Sequence, residues 1–261
     1  MKISRIYMDN NLRNYCHIIV CEESKEAIML DPLDVDKCLT EAKRLDCNIT
    51  KIINTHEHFD HIEGNPGVVA ATGAIIHAHV NAMKTIPNVS VGLKAGDVVE
   101  VGSTVRLRVL DTPGHTLAHV CLLAEIGDAV LFCGDTLFNA GAGHCRMGGD
   151  VKKMYHTFAE QLDVLPDNTK VYPGHDYIEN NLEFSLSREP GNQFAKNLLA
   201  EVSQQTAATR MVTTMELEKK MNPFFRLDNE EIISGLKHDF SGQKEDAESI
   251  FTSLRSLRDN W

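Results

Sequence analysis

The chain has 261 residues, 43% hydrophobic and 24% charged, enough for one large core and a small appended domain. A formal net charge of -11 repels nucleic-acid phosphates, so neither DNA nor RNA is an expected partner, and an anionic small molecule would need a local basic patch. No apolar run reaches the ~20 residues that span a bilayer, and no secretory pattern follows Met1, so the expectation is a cytoplasmic protein without membrane contact.

In chain order, the first ~180 residues read as alternating strands and helices. Cys16–Cys21 and Ala27–Leu30 flank a charged turn, a hairpin pattern, and Asp36–Leu45 has helical apolar spacing. Ile49–Asn54 is a β-rich run that leads into a histidine cluster; Val68–Thr72 is a short helix after Pro66 that ends at Gly73. Ala74–His77, Val98–Val101, Val105–Leu110, Val120–Ala124, Val130–Phe132 and Lys170–Tyr172 are further strands. Beyond about residue 180 the pattern becomes helical. Phe194, Leu198 and Val202 lie four apart, Thr213 with Glu216 and Asp228 with Glu231 form capping boxes, and Ile250, Leu254 and Leu257 mark a final amphipathic helix. The expected domains are 1–180, carrying the chemistry, and 181–261, helical. Seven cysteines without a Cys-x-x-Cys read as reduced thiols, with Cys121 and Cys133 as core filler.

His56, His58, Asp60 and His61 fall within six residues at the end of a strand. Positions two apart share a face there, so His56 and His58 converge while a turn aims Asp60 and His61 elsewhere. Imidazole and carboxylate suit zinc, iron or manganese. Three later junctions repeat one form, strand then glycine and a ligand-type residue: Thr112-Pro113-Gly114-His115, Cys133-Gly134-Asp135 and Pro173-Gly174-His175. Loops at strand ends are where ligands collect in layered α/β folds. His77, His79 and His119 compete as ligands and are assigned supporting or surface places.

This set, His56-x-His58-x-Asp60-His61 with His115, Asp135 and His175, resembles the metallo-β-lactamase superfamily. Thr55–His61, Thr112–Thr116, Cys133–Phe138, Pro173–Tyr177 and Asn222-Pro-Phe-Phe-Arg226 are similar to blocks of its glyoxalase II (hydroxyacylglutathione hydrolase) family, and the likeness covers essentially the whole chain. The resemblance implies an αββα sandwich with a C-terminal helical domain. It implies that His56, His58 and His115 hold one metal, Asp60, His61 and His175 a second, and that Asp135 bridges them. Two dications, zinc by default with iron or manganese as alternatives, lower the pKa of a bridging water towards neutrality, and the hydroxide attacks a thioester carbonyl. Asp60 and Asp135 are thus the catalytic carboxylates. The implied reaction is hydrolysis of S-lactoylglutathione to glutathione and lactate, in methylglyoxal detoxification, by a monomer.

Arg255 and Arg258 lie three apart, hence on one helix face, and match the family's basic pair for the glutathione moiety. Tyr177 matches a substrate-contacting tyrosine. The loop after Asp135 departs from the family's Gly-Cys-Gly-basic-x-aromatic pattern: it reads Gly141-Ala142-Gly143-His144-Cys145-Arg146. His144 stands where a basic residue is usual and Arg146 where an aromatic is, so Arg146 is expected to supply the displaced charge, with the backbone around Cys145 binding the thiol moiety. The alternatives are a persulfide dioxygenase-like enzyme with a single iron and a thioesterase for another thiol carrier. A phosphodiesterase lacks a basic recognition segment here, and structural zinc sites are usually cysteine-rich.

Overall fold

The computed structural model describes residues 1–125 and 129–261. The chain divides into two compact units that interleave along the sequence, residues 1–111 with 118–134, and residues 112–117 with 135–261.

The first unit holds two runs of strand. β1 (Lys2–Tyr7), β2 (Tyr15–Val20), β3 (Glu26–Leu30), β4 (Asn48–Asn54), β5 (Ile75–His79) and β6 (Val89–Leu93) form one sheet in that order. The first two pairings are antiparallel and the remaining three parallel. The parallel crossovers are bridged by α1 (Val35–Arg44) between β3 and β4, and by α2 (Phe59–Ile62) and α3 (Asn65–Thr72) between β4 and β5. β7 (Val98–Val101), β8 (Val105–Asp111), β9 (Val120–Ala124) and β10 (Val130–Gly134) make an antiparallel meander.

Every residue of β2, β9 and β10 is buried, which is why these segments read as continuous apolar runs without alternation. His17 of β2 meets Phe132 of β10 edge to face, ring centroids 5.7 Å apart, so the sheet and the meander face each other. Burial, with the nearby Arg5 cation, holds the His17 imidazole down to about 3, so it is a neutral core residue. Asp34 caps α1 through Lys37 N (3.0 Å), and α1 lays Cys38 and Ala42 on a core with Ile18, Met29, Ile52 and Val68.

The second unit contains the hairpin β11 (Leu137–Phe138) and β12 (Gly141–Ala142), then α4 (Val151–Thr157), β13 (Lys170–Pro173), α5 (Ile178–Arg188), α6 (Gln193–Val202), β14 (Thr213–Thr214), α7 (Met215–Met221), α8 (Glu230–Asp239) and α9 (Ala247–Arg258). Ile178, Leu182, Leu198, Val202 and Met221 share one core with Ala140 of the hairpin, and Phe158, Phe224 and Phe251 pack ring against ring.

Two expected caps shift by one residue. Thr214, not Thr213, caps α7, because the Thr213 hydroxyl donates to Glu218 Oε1 at 2.7 Å. Asn229, not Asp228, caps α8, accepting from the backbone of Glu231 and Ile232, while Glu231 accepts from Gly191 N. Among the described residues no helix is long and apolar enough to cross a membrane.

Candidate metal centre

In the first unit, β4 ends at Asn54 and the chain turns through Thr55–His58 into the single turn of α2, which brings His56, His58, Asp60 and His61 together. The rings of His56 and His58 have centroids 4.7 Å apart, and those of His56 and His61 4.1 Å. The ligand atoms of His56 lie within 4.8 Å of those of His58 and of His61, and those of Asp60 within the same distance of His61.

Hydrogen bonds set which nitrogen each ring presents. Asp31 Oδ2 lies 2.9 Å from His61 Nδ1 and 2.7 Å from Thr55 Oγ1. A carboxylate only accepts, so both partners donate to it. The Thr55 hydroxyl, its proton spent on Asp31, accepts from His56 Nδ1 at 3.0 Å. His56 and His61 therefore both carry the proton on Nδ1, the tautomer whose Nε2 lone pair can bind a metal. Asp60 is steadied by Asn14 Nδ2 (2.8 Å), and the turn by Asn54 Nδ2, which donates to His61 O (2.7 Å).

In the second unit, His115, Asp135 and His175 come together. Asp135 Oδ2 lies 3.5 Å from His115 Nε2 and 3.2 Å from His175 Nε2. His115 Nδ1 donates to the carbonyl of His144 at 2.6 Å, so this ring too offers Nε2. Gly143 is required where it is, since a Cβ there would sit 1.8 Å from Asp135 O. His175 stacks on Tyr177, centroids 5.0 Å apart and 8° between planes.

The remaining candidates also lie in the second unit. The His144 ring meets His115 edge to face (4.8 Å), and burial lowers its pKa below the usual histidine value. Burial pushes the Cys145 thiol up to about 12, and its Sγ points to Met154 Sδ (3.9 Å), so it is no thiolate. Arg146 is exposed and donates to Asp259 O (3.0 Å). The two α9 arginines differ from each other. Arg258 is half-buried and donates to Asn181 Oδ1 (3.0 Å), whereas Arg255 is 4% exposed and donates to Ala142 O (2.6 Å).

His77, His79 and His119 are all buried, not on the surface. His79 Nε2 lies 3.4 Å from Asp111, and His119 stacks on His56 at 5.1 Å. The orienting groups on Asp31 and Thr55 are not singled out by the sequence, although Thr55 opens the Thr55–His61 block. The available signal was a strand, β3, ending in an aspartate beside the parallel β4.

The donor set is imidazole nitrogen and carboxylate oxygen, with at least three rings oriented through Nδ1. It fits a divalent metal of the zinc, iron or manganese type.

Residues 13–175 match the model of the metallo-beta-lactamase superfamily, and residues 176–261 that of the hydroxyacylglutathione hydrolase C-terminus. A hydroxyacylglutathione hydrolase of Nitrosococcus oceani is 49% identical, and one of Polaromonas sp. 50%, each over 100% of both chains. The crystal structure of ETHE1 from Myxococcus xanthus superposes with a TM-score of 0.69 at 28% identity, over 99% of this chain and 98% of that one. The fold is thus the metallo-β-lactamase sandwich with a helical C-terminal part, and the chain belongs to the hydroxyacylglutathione hydrolase family of the metallo-β-lactamase superfamily.

Proposed function

We propose that this protein hydrolyses S-(2-hydroxyacyl)glutathione thioesters, S-lactoylglutathione above all, to glutathione and a 2-hydroxy acid, and so serves methylglyoxal detoxification. The carrying observation is the set of histidines held through Nδ1 with Nε2 presented beside a carboxylate. His56, His58 and His115 would hold one ion, Asp60, His61 and His175 a second, and Asp135 would serve both. When bound, two divalent ions, zinc by default, supply an activated hydroxide and a Lewis acid for the thioester carbonyl.

The residues around the ligands keep the imidazoles in their Nε2-presenting tautomer. Asp31 and Thr55 do so in the first unit, and the His144 carbonyl in the second. A glutathione thiolate leaves without a general acid, because a thiol's pKa lies near 8.5. The loop at His144, Cys145 and Arg146, with Tyr177, takes the glutathione, and the region from 181 onward adds to substrate binding through Arg258, while 1–180 carries the chemistry. None of the seven cysteines is in a disulfide, which supports a reducing, cytoplasmic setting, and the protein acts as a monomer.

Metal analysis joined to a thioester panel tests the reading. Two equivalents of metal and a preference for S-lactoylglutathione over coenzyme A esters are expected. Asp60→Asn and Asp135→Asn should each lose metal and rate; if both folded variants kept full metal and full rate, the proposal would be wrong.

A further inference from the structure

We propose that Arg255 is a positioning residue for His115, acting through the backbone of residues 142–144. The inference rests on the reading of His115 as a metal ligand.

The guanidinium is almost fully committed inside the protein. Nη1 donates to Ala142 O at 2.6 Å and to Gly143 O at 3.2 Å. Nε lies 3.1 Å and Nη2 3.0 Å from Asp259 Oδ1. Its Cζ lies 5.5 Å from the Phe224 ring centroid. A guanidinium has five N–H groups, and four are used here. No two-pronged edge remains for a substrate carboxylate, the geometry that makes arginine a carboxylate binder. Burial lowers its pKa to about 10, which still leaves the charge in place at neutral pH.

What the charge holds is a short stretch of chain. The Ala142 and Gly143 carbonyls are drawn to one nitrogen, Gly143 N donates to Thr136 O (3.2 Å), and Gly143 lies against the Asp135 backbone. The next carbonyl along, that of His144, accepts from His115 Nδ1 at 2.6 Å. With two successive peptide planes pinned, the third acceptor has little freedom, and it sets both the tautomer and the direction of the His115 ring. Arginine suits this task because its planar fork reaches two carbonyls on one edge and a carboxylate on the other. Lysine presents a single point and cannot do both.

The test is metal affinity, measured by chelator competition on zinc-loaded protein, for Arg255→Lys and Arg258→Ala. Arg255→Lys should weaken one of the two zinc ions 10- to 100-fold, in the range found when the partner of a ligating histidine is removed. Arg258→Ala should leave zinc affinity unchanged and raise KM. In metal-free folded protein, the nitrogen chemical shifts of His115 should change from a single Nδ1–H tautomer to a mixture in Arg255→Lys and remain single in Arg258→Ala. Should Arg255→Lys not fold, Asp259→Asn, which frees one edge of the guanidinium, should show the same loss at about 3- to 10-fold. Wild-type zinc affinity and an unchanged His115 signature, with only KM raised, would overturn the proposal. If wild-type protein binds no zinc, or His115→Ala binds it as tightly, the metal-ligand reading has failed instead.

Discussion

Asp31 Oδ2 lies 2.9 Å from Nδ1 of His61, and the same oxygen accepts from the Thr55 hydroxyl that in turn receives the His56 proton. One carboxylate therefore sets the tautomers of two imidazoles five positions apart on the far side of a turn. Asp31 also stands in the left-handed region, at φ 49°, which asparagine tolerates. Asp31→Asn should keep the fold. It presents one oxygen where two were used and an NH2 towards a donor. A 10- to 100-fold loss of metal affinity is expected, with the circular dichroism spectrum unchanged. Undiminished affinity in a chelator titration would show that Asp31 does not orient the rings.

Gly134 → Ala should be costly for a separate reason. Gly134 has φ 44°, and a Cβ there would meet Thr55 Oγ1 at 2.5 Å and His119 Nε2 at 2.9 Å. Left-handed strain adds to the displacement of a buried hydrogen-bonding hydroxyl, for a loss of about 2 kcal/mol or more. A urea midpoint unmoved in Gly134→Ala would refute this.

The residues gathered at the candidate metal centre were legible in the sequence because each stands at a strand end, next to a glycine or in one dense run, and strand ends are visible as apolar runs. The orienting shell was not. Asp31 comes beside Thr55 only because β3 and β4 pair in parallel, with Leu30 opposite Ile53, and nothing local signals that register. Helical spacing placed Arg255 and Arg258 on one face, but not what each would reach. A carbonyl of β12, over a hundred residues earlier, occupies Arg255, whereas Arg258 reaches a side chain of α5. The caps of α7 and α8 moved by one residue because other partners, Glu218 within α7 for Thr213 and the distant Gly191 for Glu231, outcompeted the box. β1 and β6 are short strands at the sheet's two edges, with few fully buried positions, and leave little apolar signal.

Arg146 should contribute to substrate binding and not to the chemical step. Its side chain is 62% exposed and reaches Asp259 at the end of α9, the carbonyl at 3.0 Å and the carboxylate at 4.0 Å. Arg146→Ala is expected to raise KM for a glutathione thioester about 10-fold with kcat unchanged, the size of one charge-assisted hydrogen bond. An equal fall in kcat would move Arg146 into the transition state, and no change in KM would remove it from the site.

Glu218 carries a pH dependence that a single substitution should isolate. The side chain is fully buried in the second unit. Oε1 accepts from Thr213 Oγ1 at 2.7 Å, and Oε2 from Ala140 N at 2.8 Å and Asn222 Nδ2 at 3.1 Å. Burial outweighs these donors and raises its pKa from 4.5 to about 7. Between those values the unfolded chain has lost the proton and the folded one keeps it, so stability falls as pH rises from about 4.5 to 7 and is level beyond. The drop is on the order of 3 kcal/mol, at 1.36 kcal/mol per pKa unit. Glu218→Gln keeps the shape, accepts from Ala140 N through its oxygen, and donates to a Thr213 hydroxyl free to rotate. Urea melts at pH 5 and pH 7.5 should therefore show a smaller loss for Glu218→Gln than for wild type by about that amount. Parallel pH profiles for the two proteins would mean that Glu218 is ionised in the fold throughout.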